Sequence, residues 1–137
     1  LVTRNYLKLF GENKVEKVIL IAVPNNGVEG KVDKLCSYFG EKNACEDLSK
    51  NSVFLKKLST YTPNIPIYNI IGQGCSNDGD GVVKVDSAKL PYKNNYTEYY
   101  VNGTCDDVLE VSFHTDILNP KKYPQTYNIV KEILFEN

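Results

Sequence analysis

The stretch Val15-Glu16-Lys17-Val18-Ile19-Leu20-Ile21-Ala22-Val23, closed by Pro24-Asn25-Asn26-Gly27, decides the fold class. From Val18 onward it is a continuous β-branched and aliphatic run, the pattern of a parallel strand buried on both faces. The turn residues Pro24 to Gly27 end it. A second buried strand is expected at Ile67-Tyr68-Asn69-Ile70-Ile71, ending in Gly72. Ahead of the first strand, Leu1 to Phe10 read as a helix with Leu1, Val2, Tyr6, Leu7 and Phe10 on one apolar stripe, stopped by Gly11. Between the strands, Asp47 to Leu58 is expected to form a helix that turns Leu48, Val53, Phe54, Leu55 and Leu58 inward. Beyond the second strand come a Gly- and Asp-rich loop from Gly72 to Gly81 and a short element around Val82 to Leu90. Tyr96 to Val101 reads as a third strand, and Val108 to Phe113 as a short extended continuation delivering His114. Pro124 opens a final helix whose apolar face carries Tyr127, Ile129, Val130, Ile133, Leu134 and Phe135. Strands alternating with helices in this way predict an α/β fold with a mainly parallel sheet flanked by helices.

Composition narrows the function. The 137 residues are enough for one domain with a single core. A hydrophobic fraction of 42%, a charged fraction of 24% and a net charge of −1 give no basic surface for nucleic acid or an anionic membrane. Arg4 is the only arginine, and no apolar run approaches the roughly 20 residues of a transmembrane helix. The four cysteines, Cys36, Cys45, Cys75 and Cys105, form no Cys-x-x-Cys pair, so zinc-ribbon and thioredoxin-like redox chemistry are not indicated. An even number suggests disulfides in an oxidising compartment, hence a secreted or extracytoplasmic protein. Cys36 with Cys45 is the most local of the pairings that three connectivities allow. Two sequons, Asn95-Tyr96-Thr97 and Asn102-Gly103-Thr104, fit the same compartment.

Chemistry concentrates on the one histidine. His114 stands in Ser112-Phe113-His114-Thr115-Asp116, downstream of Asp80 in Gly79-Asp80-Gly81-Val82-Val83. An acid on a loop after a strand, followed by a histidine ahead of a helix, is the second half of a Ser–Asp–His triad in chain order. Asp78 also precedes a glycine, but Asp80 directly adjoins the Val82-Val83 element and is favoured as the acid. The loop lacks the ligand series of a calcium-binding EF-hand, so neither metal nor cofactor is implied. No Gly-x-Ser-x-Gly occurs. Ser76 lacks an elbow context, Ser112 would point the same way as His114 along a strand, and Cys75 is as easily spent in a disulfide.

Four motifs in this order resemble the C-terminal half of an α/β-hydrolase, in its lipase and esterase branch. Ile21-Ala22-Val23-Pro24-Asn25-Asn26-Gly27 is similar to the strand and turn where lipases show Gly-Thr-Pro-His/Asn-x-Gly, with Ala22-Val23 replacing Gly-Thr. Phe54-Leu55-Lys56-Lys57-Leu58 resembles the helix closing the lid region, Gly79 to Ala88 the acid loop, and His114-Thr115-Asp116-Ile117-Leu118 with Pro120 the histidine loop. The opening Leu1-Val2-Thr3-Arg4-Asn5-Tyr6-Leu7 resembles the helix that follows a nucleophile elbow.

The resemblance implies a carboxylic ester hydrolase with Asp80 and His114 as acid and base, and a serine and oxyanion hole contributed by residues ahead of Leu1. Residues 28–64 would then be a lid or cap insertion over an acyl site, with lipid or other carboxylic esters as substrates and a lipid surface as a contact. The 137 residues by themselves are expected to be inactive, and poorly soluble or oligomeric, because Val18 to Val23 would present an uncovered apolar edge. An acyltransferase or thioesterase of the same fold, or a non-catalytic binding domain derived from it, are the alternatives.

Overall fold

The computed structural model describes residues 1–29, 36, 42–76, 78–106 and 111–135. The elements run in the order α1 (Val2–Phe10), β1 (Val18–Ile21), α2 (Lys42–Leu48), α3 (Val53–Ser59), β2 (Ile67–Gln73), α4 (Val85–Ala88), β3 (Tyr96–Asn102), α5 (Ser112–Asp116) and α6 (Pro124–Phe135). Among the described residues the strands form one parallel sheet in the order β1-β2-β3, with Val18 opposite Ile67 and Ile70 opposite Tyr99. The fold is α/β, as the alternation of elements predicts.

The two faces of the sheet are covered by different helices because side chains alternate along each strand. On one face Val18, Leu20 and Ile67 pack with Leu7 of α1 and with Leu90. On the other, Ile70 and Val101 pack with Phe113, Ile117, Ile129 and Ile133 from α5, α6 and the segment between them. Each fully buried Leu, Ile or Phe here stabilises the fold by about 1.5–3 kcal/mol. Lys17, just ahead of β1, donates from Nζ to the Ile133 carbonyl at 2.8 Å, so a cation satisfies an end carbonyl of α6.

β1 ends at Ile21, and the next residue, Ala22, has a φ of 52° in the left-handed region that glycine favours. The turn that follows closes with Gly27 N donating to Pro24 O at 3.0 Å. Gly11, with φ 79°, ends α1 as expected.

Three expectations from the sequence are corrected and two more are made specific. The apolar stripe of α1 is buried only at Leu7: Val2 is 85% and Phe10 73% exposed, while Arg4 is buried beside Leu7. The single helix expected over Asp47 to Leu58 is two helices. Asn51 at φ 68° breaks the chain direction, and Ser52 starts α3 by accepting from Leu55 N at 3.1 Å. β2 runs through Gly72 to Gln73 rather than stopping at the glycine. The short element expected around Val82 to Leu90 is the four-residue helix α4. Finally, His114 is delivered by a helix: Ser112 and Phe113 already belong to α5, whereas residues 108–110 of the expected extended segment lie outside the described residues. Of the expected lid, residues 30–35 and 37–41 likewise lie outside them, and α2 and α3 make up most of the rest. No helix among the described residues is long and apolar enough to cross a membrane.

Candidate active site

Asp80 lies on the loop that leaves the C-terminal end of β2, the edge at which open parallel sheets gather ligands. The loop turns back on itself through Gly74 at φ 117°, Asp78 at φ 57° and Gly81 at φ 95°. Backbone bonds hold it: Cys75 N to Gly79 O at 3.0 Å and Asp80 N to Val83 O at 3.1 Å. The Asp80 side chain is 1% exposed. Its Oδ1 accepts from Val83 N at 2.7 Å and from Val82 N at 3.0 Å. Its Oδ2 meets His114 Nδ1 at 2.8 Å.

These bonds assign the tautomer. An ionised carboxylate only accepts, so Nδ1 faces it as the donor, and in the neutral ring Nε2 then keeps the lone pair. His114 is 29% exposed, so its ring joins a buried acid to solvent. Asp78, the sequence rival, is exposed and spends its backbone on the turn, with its N–H on Cys75 O and its carbonyl accepting from Val85 N.

Three features outside the pair hold it in place. Phe113, fully buried, anchors α5 by stacking against Tyr123 with ring centroids 4.7 Å apart. Gly103 lets that ring approach, since a Cβ there would sit 2.5 Å from it. The second feature is the disulfide Cys75–Cys105, which ties the acid loop to the segment between β3 and α5. Cys105 Sγ lies 3.5 Å from the Asp80 carbonyl. The third is Gly72, where a Cβ would fall 2.7 Å from Asp80 Cβ and 3.1 Å from the Phe113 ring. Gly72→Ala is therefore expected to push acid and histidine apart and to destabilise the fold by about 1–3 kcal/mol, as overpacking does. Urea unfolding of this variant beside wild type measures the cost; an unchanged midpoint would remove Gly72 from the list.

The sequence reading named Asp80 and His114, and the structure brings them into contact. It missed Gly72, taken only as a strand stop, and the Cys75–Cys105 pairing, which ties the acid loop to the segment that leads into the histidine-bearing helix α5. The second disulfide is Cys36–Cys45, the local pairing. The expectation for Ser112 is corrected: on a helix, two positions from His114 means nearly opposite faces. Cys75, held in a disulfide, cannot serve as a thiolate nucleophile. Among the described residues no group of three His, Cys, Asp or Glu side chains could hold a metal ion.

No protein-family model, no curated protein and no solved structure matches this chain.

Proposed function

We propose that the chain is the acid- and base-bearing part of a serine hydrolase of α/β-hydrolase type that cleaves carboxylic esters, with lipid esters as the substrate class. The observation that carries this reading is the Asp80–His114 pair: a fully buried carboxylate, both oxygens engaged, 2.8 Å from the inner nitrogen of a histidine whose ring reaches solvent. Ala22 adds support, because the position where lipases usually have glycine is the one with a left-handed backbone.

In this reading a serine carried by residues ahead of Leu1 attacks the ester carbonyl. His114 Nε2 takes the serine proton as general base and returns it to the departing alcohol as general acid. Asp80 keeps the ring in the required tautomer and stabilises the imidazolium. Water, activated by the same nitrogen, then releases the acyl group. The segment 28–64 would cover the acyl site and gate contact with a lipid surface. Two disulfides fit an extracellular or otherwise oxidising location.

The test uses the full-length protein. A fluorophosphonate probe is expected to label one serine upstream of Leu1, and p-nitrophenyl esters of graded acyl length should be hydrolysed with loss of activity on labelling. The 137 residues alone should do neither. A full-length protein that ignores the probe and the esters overturns the reading in favour of a binding domain.

A further inference from the structure

Arg4 is 2% exposed on α1 and points toward the sheet. Burying a guanidinium costs several kcal/mol, and an apolar side chain would fill the same space without that cost. Among the described residues no carboxylate pairs with it. Burial pushes its pKa down, an effect opposed by the Tyr92 hydroxyl beside it. What Arg4 does make is a fork of bonds to one residue: Nη1 donates to Asn25 O at 2.9 Å and to Asn25 Oδ1 at 3.3 Å. Engaging Oδ1 fixes the Asn25 side chain, so that its Nδ2 donates to Ala88 O, the last residue of α4, at 2.7 Å. The neighbouring Asn26 repeats the attachment, with Nδ2 donating to Asp86 O at 3.1 Å and Lys89 O at 2.9 Å. α4 in turn is continuous with the acid loop, Val85 N bonding Asp78 O at 2.9 Å. A line of hydrogen bonds, buried from Arg4 through Asn25 to Ala88, thus joins the first helix to the loop of Asp80 without touching the pair itself.

We propose that Arg4, acting through Asn25, is a positioning residue that locks the Asp80 loop to α1. Asp80 and His114 are thereby held in one frame with a nucleophile carried at the start of that helix. The part concerning the nucleophile rests on the ester-hydrolase reading. The charge is what the position requires: a planar cation can bond the backbone and side-chain oxygens of one residue together, and an apolar residue cannot.

Ring-nitrogen NMR of the full-length protein tests this, with the His114 signal assigned by its loss in His114→Gln. Arg4→Met and Asn25→Ala are compared with Leu7→Ala, which opens a cavity on the same helix but leaves the hydrogen bonds alone. Each is read at an equal interval below its own melting temperature. The His114 Nδ1 proton is expected to exchange about tenfold faster in Arg4→Met and Asn25→Ala than in Leu7→Ala, reporting local opening of the Asp80 bond. Equal exchange in all three overturns the proposal. If Arg4→Met does not fold, Asn25→Ala alone decides. Asp80→Asn separates the two levels of inference. If it leaves the Nδ1 signal unchanged, the acid–histidine pair fails and the hydrolase reading with it. If it alters the signal while Arg4→Met and Asn25→Ala do not, only the positioning role is lost.

Discussion

If the chain is part of the ester hydrolase proposed above, replacing His114 with alanine in the full-length protein is expected to lower kcat on a short-chain ester by roughly a million-fold, because triad members act as a unit. Asp80→Asn should cost less, roughly ten-thousand-fold, and for a reason visible in its bonds. The Val82 and Val83 amides occupy Oδ1, so an asparagine keeps its carbonyl there and turns its NH2 toward His114 Nδ1. Nδ1 must then accept, the ring proton moves to Nε2, and the nitrogen facing the serine can no longer take a proton. Circular dichroism should show both variants folded. Stopped-flow or end-point ester assays read the loss. A His114→Ala enzyme within about an order of magnitude of wild type would mean that some other base serves the reaction.

Removing the Cys75–Cys105 bond has the largest expected effect on stability. It closes a sequence separation of 30 residues, against 9 for Cys36–Cys45. The chain-entropy model assigns about 3.5 kcal/mol to the longer loop and about 2.5 kcal/mol to the shorter. The larger difference lies in location. Cys75 is five positions before Asp80, and Cys105 leads into the segment that ends at α5, so the bond constrains acid and base together. The double variant Cys75→Ala/Cys105→Ala should therefore melt well below wild type and lose ester hydrolysis at temperatures where it is still folded. Cys36→Ala/Cys45→Ala should lose less stability and keep the activity. Calorimetry and rate measurements on the two pairs check this; equal activity loss in both would remove the special role of the first.

The parallel sheet was legible in the sequence because Val18 to Ile21 is a uniform aliphatic run too short for most helices, and Ile67 to Ile71 is a short isoleucine-rich stretch bounded by Pro66 and Gly72. The burial pattern of α1 was not. Periodicity reports where apolar residues cluster, not which of them are covered, and here Leu7 is the one stripe residue that is fully buried, beside an arginine with a polar partner on another element. That partner, Asn25, sits in what reads as an ordinary turn. The break between α2 and α3 did leave a signal, since Asn51 tolerates a left-handed backbone and Ser52 is a good N-cap. The inward apolar residues on both sides outweighed it. Asp80 and His114 could be named because acid and histidine loops carry local punctuation. Their supports could not, because Gly72 and the Cys75–Cys105 bond act by proximity across the fold.

The complete enclosure of Asp80 has a consequence for the ionic surroundings in which such a site would work. Surface pairs such as Lys50–Glu29 and Lys84–Glu29 lie open to counter-ions and weaken as electrolyte is added. The Asp80–His114 contact is shielded by protein on the carboxylate side, where mobile ions do not reach, so its strength is set by the fold and hardly by the medium. Brackish or ion-poor fluid would leave the pair equally well joined, while the lysine-rich exterior adjusts to each.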